Sequence, residues 1–201
     1  KNIIKSNGAI VLFGSEPFSS ALRMSNIHEF KYDWIWEKNR AQGFLNAKKM
    51  PLKDHETISV FYKSQPSYTP QGVIKIDKVM KNTGTKNTSG NKHNGDKASA
   101  NNAVKNECYT QEFTNYPKQI LRFKNSGNTQ FHPTQKPVQL LEYLIKTYTN
   151  ECDIVLDNCM GSGSTGVACL NTNRRFFGIE LDTTYCDIAK QRIQDVEQKC
   201  S

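Results

Sequence analysis

The sequence has no long apolar run, no cysteine pair at metal-binding spacing and no two adjacent prolines. No stretch approaches the roughly 18 consecutive apolar residues of a membrane-spanning helix, so we expect no membrane partner. The six cysteines include no C-x-x-C pair, and they are not grouped with the four histidines in a metal-type pattern. This composition favours reduced thiols in a cytoplasmic protein and predicts no metal site.

What the sequence has in excess is positive charge. Lysine and arginine number 27 against 19 aspartates and glutamates, which gives a net charge of +8 and a pI near 9.1. Such a balance fits either a polyanionic partner or a generic basic surface. Residues 75–105 contribute seven lysines and two acids, with almost no large apolar residues after Met80. They are predicted to be a mobile basic insertion, which either contacts phosphate groups or is a tolerated surface loop.

A glycine-rich turn lies between two predicted strands in the C-terminal part of the chain. The apolar run 154–156 stops at Asp157, which is typical of a buried parallel strand. The pattern Gly161-x-Gly163-x-x-Gly166 follows, and its glycines allow a sharp turn and a close approach of the backbone to a ligand. A helix is predicted next, and Ser164 or Thr165 can cap it.

The second of these strands, 176–179, ends in Glu180, which lies 19 residues after Gly161. An acid at about this distance binds the ribose diol in nucleotide-type sites. The same glycine pattern occurs in dinucleotide-dependent oxidoreductases, but only 35 residues follow Gly166, too few for the rest of such a domain. No Lys-Ser or Lys-Thr pair follows the glycines, so the turn is not a phosphate-binding P-loop.

The remaining hydrophobic patterns predict alternating strands and helices. Strands are expected at 9–13, 32–37 and 56–63, and helices at 17–25, at 138–148 and at the end of the chain. Thr184 and Asp187 have the spacing of a capping-box variant for the last helix. Strands that alternate with helices imply an α/β architecture with a largely parallel sheet covered on both faces.

Several motifs, in this order, closely resemble those of the amino-methylating DNA methyltransferases (adenine N6 or cytosine N4) with circularly permuted motifs. H-P-T-Q-K-P at 132–137 resembles the cofactor motif that leads into a helix. D-N-C-M-G-S-G-S-T at 157–165 resembles the glycine-rich cofactor loop, and F-F-G-I-E-L-D at 176–182 the strand whose acid holds the ribose. The resemblance covers about residues 1–63 and 117–199.

This resemblance implies an α/β, Rossmann-like methyltransferase sheet, incomplete at its N-terminal side, with an inserted, partly disordered basic segment. Residues 1–63 would form the first part of the methyltransferase domain, 64–116 a flexible target-recognition insertion, and 117–201 the half that binds S-adenosylmethionine. The resemblance also implies double-stranded DNA as partner and methyl transfer to a flipped base, with adenine N6 favoured over cytosine N4. Enzymes of this kind are cytoplasmic, encoded by bacteria or phages, and serve restriction-modification.

The resemblance also implies which residues hold the cofactor. Glu180 would accept the ribose hydroxyls, Asp157 and the backbone of 161–165 would hold the methionine part, and Thr134 and Lys136 would lie near its carboxylate. Cys159 is interpreted as a small apolar filler within the loop. The predicted cofactor site comprises Asp157, Cys159, Gly161, Ser162, Gly163, Ser164, Thr165, Glu180, Thr134 and Lys136.

The chain departs from this family at the catalytic tetrapeptide, in which Asp, Asn or Ser precedes Pro-Pro and an aromatic residue. Ser15-Glu16-Pro17-Phe18 comes nearest, but Glu16 replaces a required proline, so we interpret it as a loop after a strand. We expect the catalytic residues upstream of residue 1 and no methyl transfer by this chain alone. His132 is expected to be structural. His55-Glu56 is expected to orient the neighbouring loop and is assigned no catalytic role. The alternatives are a non-catalytic, degenerate DNA-binding relative and an NAD-type oxidoreductase.

Overall fold

The computed structural model describes residues 3–82, 109–125 and 131–200. Its strands are β1 (Ile10–Gly14), β2 (Phe30–Gln42), β3 (Lys53–Phe61), β4 (Ile74–Asn82), β5 (Tyr109–Thr114), β6 (Ile120–Arg122), β7 (Ile154–Asp157) and β8 (Arg175–Gly178). Its helices are α1 (Phe18–Ser25), α2 (Val138–Tyr148), α3 (Ser164–Asn171) and α4 (Thr183–Cys200). None of the helices in these ranges combines the length and the apolar character that crossing a bilayer requires.

The chain divides into two compact units, one formed by 1–71 with 118–201 and the other by 72–117. In the second unit β4 and β5 pair antiparallel, with Ile74 opposite Thr114. Residues 75–82, which the sequence predicted as part of a mobile insertion, therefore belong to a strand. The alternation of Ile74 and Ile76 around Lys75 has the two-residue period of a strand. The rest of the basic segment, from residue 83 onward, lies outside the described residues.

The first unit contains a four-stranded sheet in the order β1-β3-β2-β6 and a separate pair, β7-β8. β3 runs antiparallel to both β1 and β2, whereas β2 with β6 and β7 with β8 are parallel. The prediction of a largely parallel sheet is therefore wrong for the first half of the chain. The cause is the short connection 43–52, which reverses the chain between β2 and β3 as in a hairpin, whereas β1 and β2 are joined through α1 and run in the same direction.

Helix α2 contributes side chains to two apolar clusters of the first unit. Its bounds confirm the predicted helix at 138–148. One apolar cluster involves α2, β2, β3 and β6: Trp34, Trp36, Ile58, Val60, Leu121, Leu140, Leu144 and Tyr148. The other lies between α2 and α3: Leu141, Ile145, Ala168 and Cys169. Phe13 of β1 touches both clusters, so α2 joins the sheet of β1–β3 to the elements that follow β7.

The pair β7-β8 is covered on one face only in the described part of the chain. Val155 packs against the α2–α3 cluster, but Ile154 and Phe177 are 58% and 60% exposed. The expectation that 154–156 is a buried strand is therefore wrong for the face that carries Ile154 and Leu156. An uninterrupted apolar run is typical of a strand covered on both faces, but no element in the described part of the chain covers this second face.

The predicted helix caps are replaced by others. Asp182 caps α4, since its Oδ1 accepts hydrogen bonds from the amides of Thr184 at 2.8 Å and Tyr185 at 3.2 Å. At the start of α3, Gly163 occupies the cap position in the left-handed region, and no side chain bonds to the helix end. Thr165 cannot serve as that cap because its hydroxyl donates to Asp157 instead.

Candidate functional site

The loop after β7 is held at its base by Asp157. One oxygen of its carboxylate accepts the amide of Cys159 at 3.1 Å, and the other accepts the hydroxyl of Thr165 at 2.6 Å. The strand end and the first turn of α3 are thereby tied together across the loop. A rigid loop of this kind keeps its backbone N–H groups in one orientation, which is what binding a polar ligand requires.

Two glycines of the loop serve different purposes. Gly161 has φ of 51°, and a Cβ added there would meet only the His132 ring at 3.6 Å, an ordinary contact. Gly163 has φ of 76°, and its Cβ would lie 2.8 Å from Cβ of Ala189. Gly163 is therefore required both by the turn and by the close approach of α4, whereas Gly161 is required by the turn alone.

Glu180 closes the loop from the end of β8. Its Oε2 accepts the amide of Gly161 at 2.7 Å, and its Oε1 accepts the amides of Leu181 at 2.9 Å and Asp182 at 3.0 Å. The Asp182 amide first, and the Gly161 amide next, hold the pKa of Glu180 below its usual value, so the carboxylate stays ionised. A carboxylate has about four acceptor positions, of which these bonds use three. The remaining position suits a hydroxyl donor such as a ribose.

The back of the loop is bonded to Arg192 of α4, a residue that the sequence did not single out. Arg192 Nη1 donates to the Ser162 carbonyl, lies 3.0 Å from Ser162 Oγ and 3.3 Å from Ser164 Oγ. Ser162 Oγ also donates to Gln135 Oε1 at 3.0 Å. Both serine side chains are buried and committed to the protein, so a ligand would meet the backbone of this loop rather than these hydroxyls. The spacing of Ala189, Arg192 and Ile193 places all three on one face of α4 and could have indicated the contact.

The H-P-T-Q-K-P segment lies against the glycine-rich loop. The His132 ring is edge-on to Tyr185, with the ring centroids 4.3 Å apart, and its Nδ1 accepts the amide of Thr134 at 3.1 Å. Thr134 is exposed, and its hydroxyl lies 3.0 Å from the same His132 nitrogen. These contacts connect His132 to α4 and to the next turn of its own segment; that its role is structural stays a prediction.

Lys136 pairs with Glu56, and a second lysine shares the carboxylate. Lys136 Nζ donates to Glu56 Oε2 at 2.8 Å and Lys38 Nζ to Oε1 at 2.5 Å. The Lys136 ammonium also lies over the Phe13 ring, 5.2 Å from its centroid. Burial alone would raise the pKa of Glu56, but the hydrogen bonds and charges of Lys136 and Lys38 outweigh it and lower that pKa. This group joins β2, β3 and the H-P-T-Q-K-P segment, and it carries one positive charge in excess.

We expect Glu56→Gln to destabilise the protein by about 3 kcal/mol at neutral pH, because it leaves two largely buried lysines without their counterion. Glu56 has a lowered pKa in the folded state, so its stabilising contribution is present above the unfolded pKa of about 4.3 and is lost as the pH falls below it. Denaturant unfolding of both proteins between about pH 7 and pH 3 should therefore show the difference shrinking with acidification.

Glu37→Gln is the matched control for this prediction. Glu37 bonds Arg122 at 3.0 Å, but both side chains are well exposed, so its loss should change the stability by less than about 0.5 kcal/mol. Equal effects of the two substitutions, or an effect of Glu56→Gln that persists unchanged at acidic pH, would contradict the role of the Lys38–Glu56–Lys136 group.

Two other residues that the sequence singled out are Cys159 and Glu16. Cys159 is exposed, so its interpretation as a packed filler is wrong; partial burial of the thiol, and then the charges of Asp157 and Glu180, raise its pKa and keep it protonated. Glu16 belongs to Ser15-Glu16-Pro17-Phe18, the segment most similar to the catalytic tetrapeptide. It accepts the hydroxyl of Ser20 at 2.6 Å and pairs with Arg23 at 3.5 Å. Its carboxylate is thus bonded to α1, as in a structural loop.

Of the predicted site residues, the structure brings most together around one loop. Two pairs of them are joined by direct hydrogen bonds, Gly161 with Glu180 and Thr165 with Asp157. Thr134 lies in the segment that contacts this loop through His132 and Gln135. Lys136 points instead to Glu56, a residue that was not included in the predicted site.

A family model described as DNA methylase, for N6 and N4 methyltransferases, matches residues 1–191 of this chain. Among curated proteins, the type II methyltransferase M2.DpnII of Streptococcus pneumoniae is 48% identical over 63 residues, which are 31% of this chain and 24% of that protein. The type II methyltransferase M.BglII of Bacillus subtilis is 31% identical over 151 residues, 73% of this chain and 38% of that protein. The matched parts thus span well under half the length of these curated relatives.

Solved structures of methyltransferases share the fold. A complex of M1.HpyAVI with SAM superimposes with a TM-score of 0.63 at 28% identity, covering 95% of this chain and 76% of that one. The cytosine-N4-specific PvuII DNA methyltransferase gives a TM-score of 0.60 at 18% identity, covering 97% of this chain and 70% of that one. These similarities establish a Rossmann-like methyltransferase architecture for the described α/β arrangement.

Proposed function

Since the chain belongs to the N6/N4 DNA methylase family, whose model matches residues 1–191, we propose that it is the cofactor-binding part of an S-adenosylmethionine-dependent DNA methyltransferase. The observation that carries this proposal is the Glu180 carboxylate, whose Oε2 lies 2.7 Å from the Gly161 amide where two parallel strands end. The crevice at the carboxyl ends of such strands is where nucleotides bind in α/β sheets. Membership of this family sets aside the NAD-type oxidoreductase.

The residues of the loop fit this cofactor. Glu180 keeps an acceptor position for the ribose hydroxyls, and Asp157 with the backbone of 161–165 would hold the methionine part. The first N–H groups of α3 lack partners within the helix, so they can donate to a polar ligand. The cofactor carboxylate is assigned to Thr134 and to Lys136, whose pairing with Lys38 and Glu56 leaves a net positive charge to attract it.

S-adenosylmethionine supplies an electrophilic methyl group on a positively charged sulfur. The acceptor in this proposal is the exocyclic amino group of a base flipped out of duplex DNA, a weak nucleophile because its lone pair is conjugated with the ring. The task of this chain is then to fix the methyl donor in line with the amine, since correct placement supplies much of such a rate enhancement. The bonds of Asp157, Glu180 and Arg192 hold the loop rigid for that purpose.

We favour adenine N6 over cytosine N4 as the acceptor, on the resemblance of the whole chain. The cytosine-N4-specific PvuII enzyme is 18% identical to this chain, a level that supports the fold alone. The chain contains no Pro-Pro pair, and the nearest segment, Ser15-Glu16-Pro17-Phe18, has its carboxylate bonded to α1. This observation also favours a second candidate function, the binding of cofactor and DNA without methyl transfer.

Two measurements on this chain test the proposal. Calorimetric titration should show binding of S-adenosylmethionine and none of NAD, because the loop and Glu180 suit a single nucleoside with an amino acid tail. Incubation with tritium-labelled S-adenosylmethionine and mixed-sequence duplex DNA should give no transfer above a buffer blank. Failure to bind S-adenosylmethionine would refute the proposed function, whereas measurable transfer would refute the expectation that the amine-activating residues lie outside this chain.

A further inference from the structure

The connection between β2 and β3 presents two large apolar side chains to solvent. Phe44 is 80% exposed and Leu45 is 99% exposed, at the start of a 3₁₀ turn, Phe44–Asn46. Exposed single apolar residues are common on protein surfaces, whereas contiguous exposed apolar patches mark interaction sites, so this adjacent pair is a candidate for one.

The tip is ordered by its own backbone. Gly43 adopts φ of 89°, which starts the turn, and its carbonyl accepts the Asn46 amide at 2.9 Å. The Phe44 carbonyl accepts the Ala47 amide at 3.0 Å, and the Asn46 carbonyl accepts the amide of Met50 at 3.0 Å. The side chains of Phe44 and Leu45 are therefore held out by a preformed turn, which reduces the entropy lost when they bind.

The segment from Lys38 to Lys53, which forms the connection and the adjoining strand ends, carries positive charge only and is flanked by Glu37 and Asp54. From Lys38 to Lys53 the sequence has five basic residues and no acid: Lys38, Arg40, Lys48, Lys49 and Lys53. Lys38 is bonded to Glu56, and the other four are exposed. This charge is complementary to a polyanion, and it disfavours pairing with a second copy, because a two-fold contact would place identical basic surfaces against each other.

The two strands that carry the tip are bonded to the H-P-T-Q-K-P segment, which contacts the glycine-rich loop. Glu56 of β3 accepts hydrogen bonds from Lys38 of β2 and from Lys136. Gln135, the neighbour of Lys136, accepts the hydroxyl of Ser162 in the glycine-rich loop. β1 and β2 are both antiparallel to β3, so they run in the same direction. The tip, which follows β2, therefore extends from the carboxyl edge of the sheet, where ligands bind in α/β folds. A duplex that contacts this edge would meet the basic hairpin and its apolar tip.

We propose that Phe44 and Leu45 insert into the base stack of duplex DNA and occupy the gap that a flipped base leaves. The inference rests on the proposed function, since only an enzyme that flips its target base creates such a gap. Apolar side chains are used in this way by DNA-bending proteins, which wedge them between base steps while cationic side chains hold the backbone. Here Lys48 and Lys49 would hold the phosphates.

An abasic duplex tests this without knowledge of the target sequence, because its gap is already open. We expect this chain to bind a duplex with one abasic site about tenfold more tightly than the intact duplex, since no unstacking is required. The variant Phe44→Ser/Leu45→Ser should lose this preference. The matched control Lys48→Gln/Lys49→Gln should bind both duplexes more weakly, keep their ratio, and show a shallower salt dependence, by about 0.9 in log–log slope for each phosphate that the variant no longer neutralises.

Both pairs of side chains are exposed, so neither variant should unfold the protein, and circular dichroism checks this. Equal binding of the parent chain to the two duplexes, or an unchanged preference in the Phe44→Ser/Leu45→Ser variant, would overturn the inference while leaving the proposed function intact. A tip variant that alters only self-association in sedimentation would also overturn it, in favour of a contact between copies. Absence of binding to either duplex would count against the proposed function itself.

Discussion

Replacing Glu180 by alanine is expected to weaken S-adenosylmethionine binding about tenfold to a hundredfold. The carboxylate accepts three backbone amides and keeps one position for a ribose hydroxyl, and hydrogen bonds to a charged acceptor are the stronger kind in proteins. The substitution also releases the Gly161 amide, so the loop loses part of its fixed shape. Calorimetry of the parent chain and the variant under identical conditions measures the difference.

Glu180→Gln and Glu151→Ala are the controls for this prediction. The glutamine keeps an acceptor oxygen without the charge, so its affinity should lie between those of the parent chain and Glu180→Ala. Glu151 is exposed, and its carboxylate accepts only a long bond from Asn173 at 3.4 Å, so its loss should leave the affinity unchanged. Unchanged binding by Glu180→Ala would remove this carboxylate from the cofactor site.

Gly163→Ala is expected to destabilise the folded chain by about 3 kcal/mol. A side chain at φ of 76° costs about 1 kcal/mol or more, and the added Cβ would lie 2.8 Å from Cβ of Ala189, which is fully buried in α4. Forcing an extra methyl group into packed structure typically costs 1–3 kcal/mol. Denaturant unfolding, with the m-value checked for two-state behaviour, measures the sum.

Gly43→Ala separates the two causes. Gly43 has φ of 89°, similar to that of Gly163, but among the described residues nothing beyond its own chain neighbours lies within 4 Å of the position of its Cβ. Its substitution should therefore cost only the backbone strain, about 1 kcal/mol. If both substitutions had the same effect, the close contact of the glycine-rich loop with α4 would not contribute to stability as the structure implies.

Local patterns in the sequence predicted the elements that carry their own signal. The bounds of α2 follow from the periodic apolar residues between Pro137 and the polar stretch after Tyr148. The order of Asp157, the glycines and Glu180 follows from the chemistry of a nucleotide site. In the structure Glu180 bonds Gly161, and Asp157 bonds Thr165 of the same loop. In both cases the information lies in one continuous stretch of the sequence, Val138–Tyr148 for α2 and residues 157–180 for the loop and Glu180.

The features that the sequence did not reveal depend on contacts between distant parts of the chain. The antiparallel position of β3 between β1 and β2 is set by pairing across the sheet, such as Val11 with Val60, and no local pattern specifies strand order. The bond of Arg192 to Ser162 and the pairing of Glu56 with Lys136 join residues 30 and 80 positions apart. Exposed and bonded charged residues look alike in a sequence, because their environment is decided by packing.

The central claim is that the loop after β7 and the end of β8 hold S-adenosylmethionine. Titration of the isotope-labelled chain, followed through its backbone amide NMR signals, tests this most directly. We expect S-adenosylmethionine to shift the amides of Gly161, Ser162, Gly163, Thr165 and Leu181 most strongly, and NAD to leave them unchanged. Shifts confined to other parts of the chain, or the same shifts with NAD, would contradict the assignment of this loop as the cofactor site.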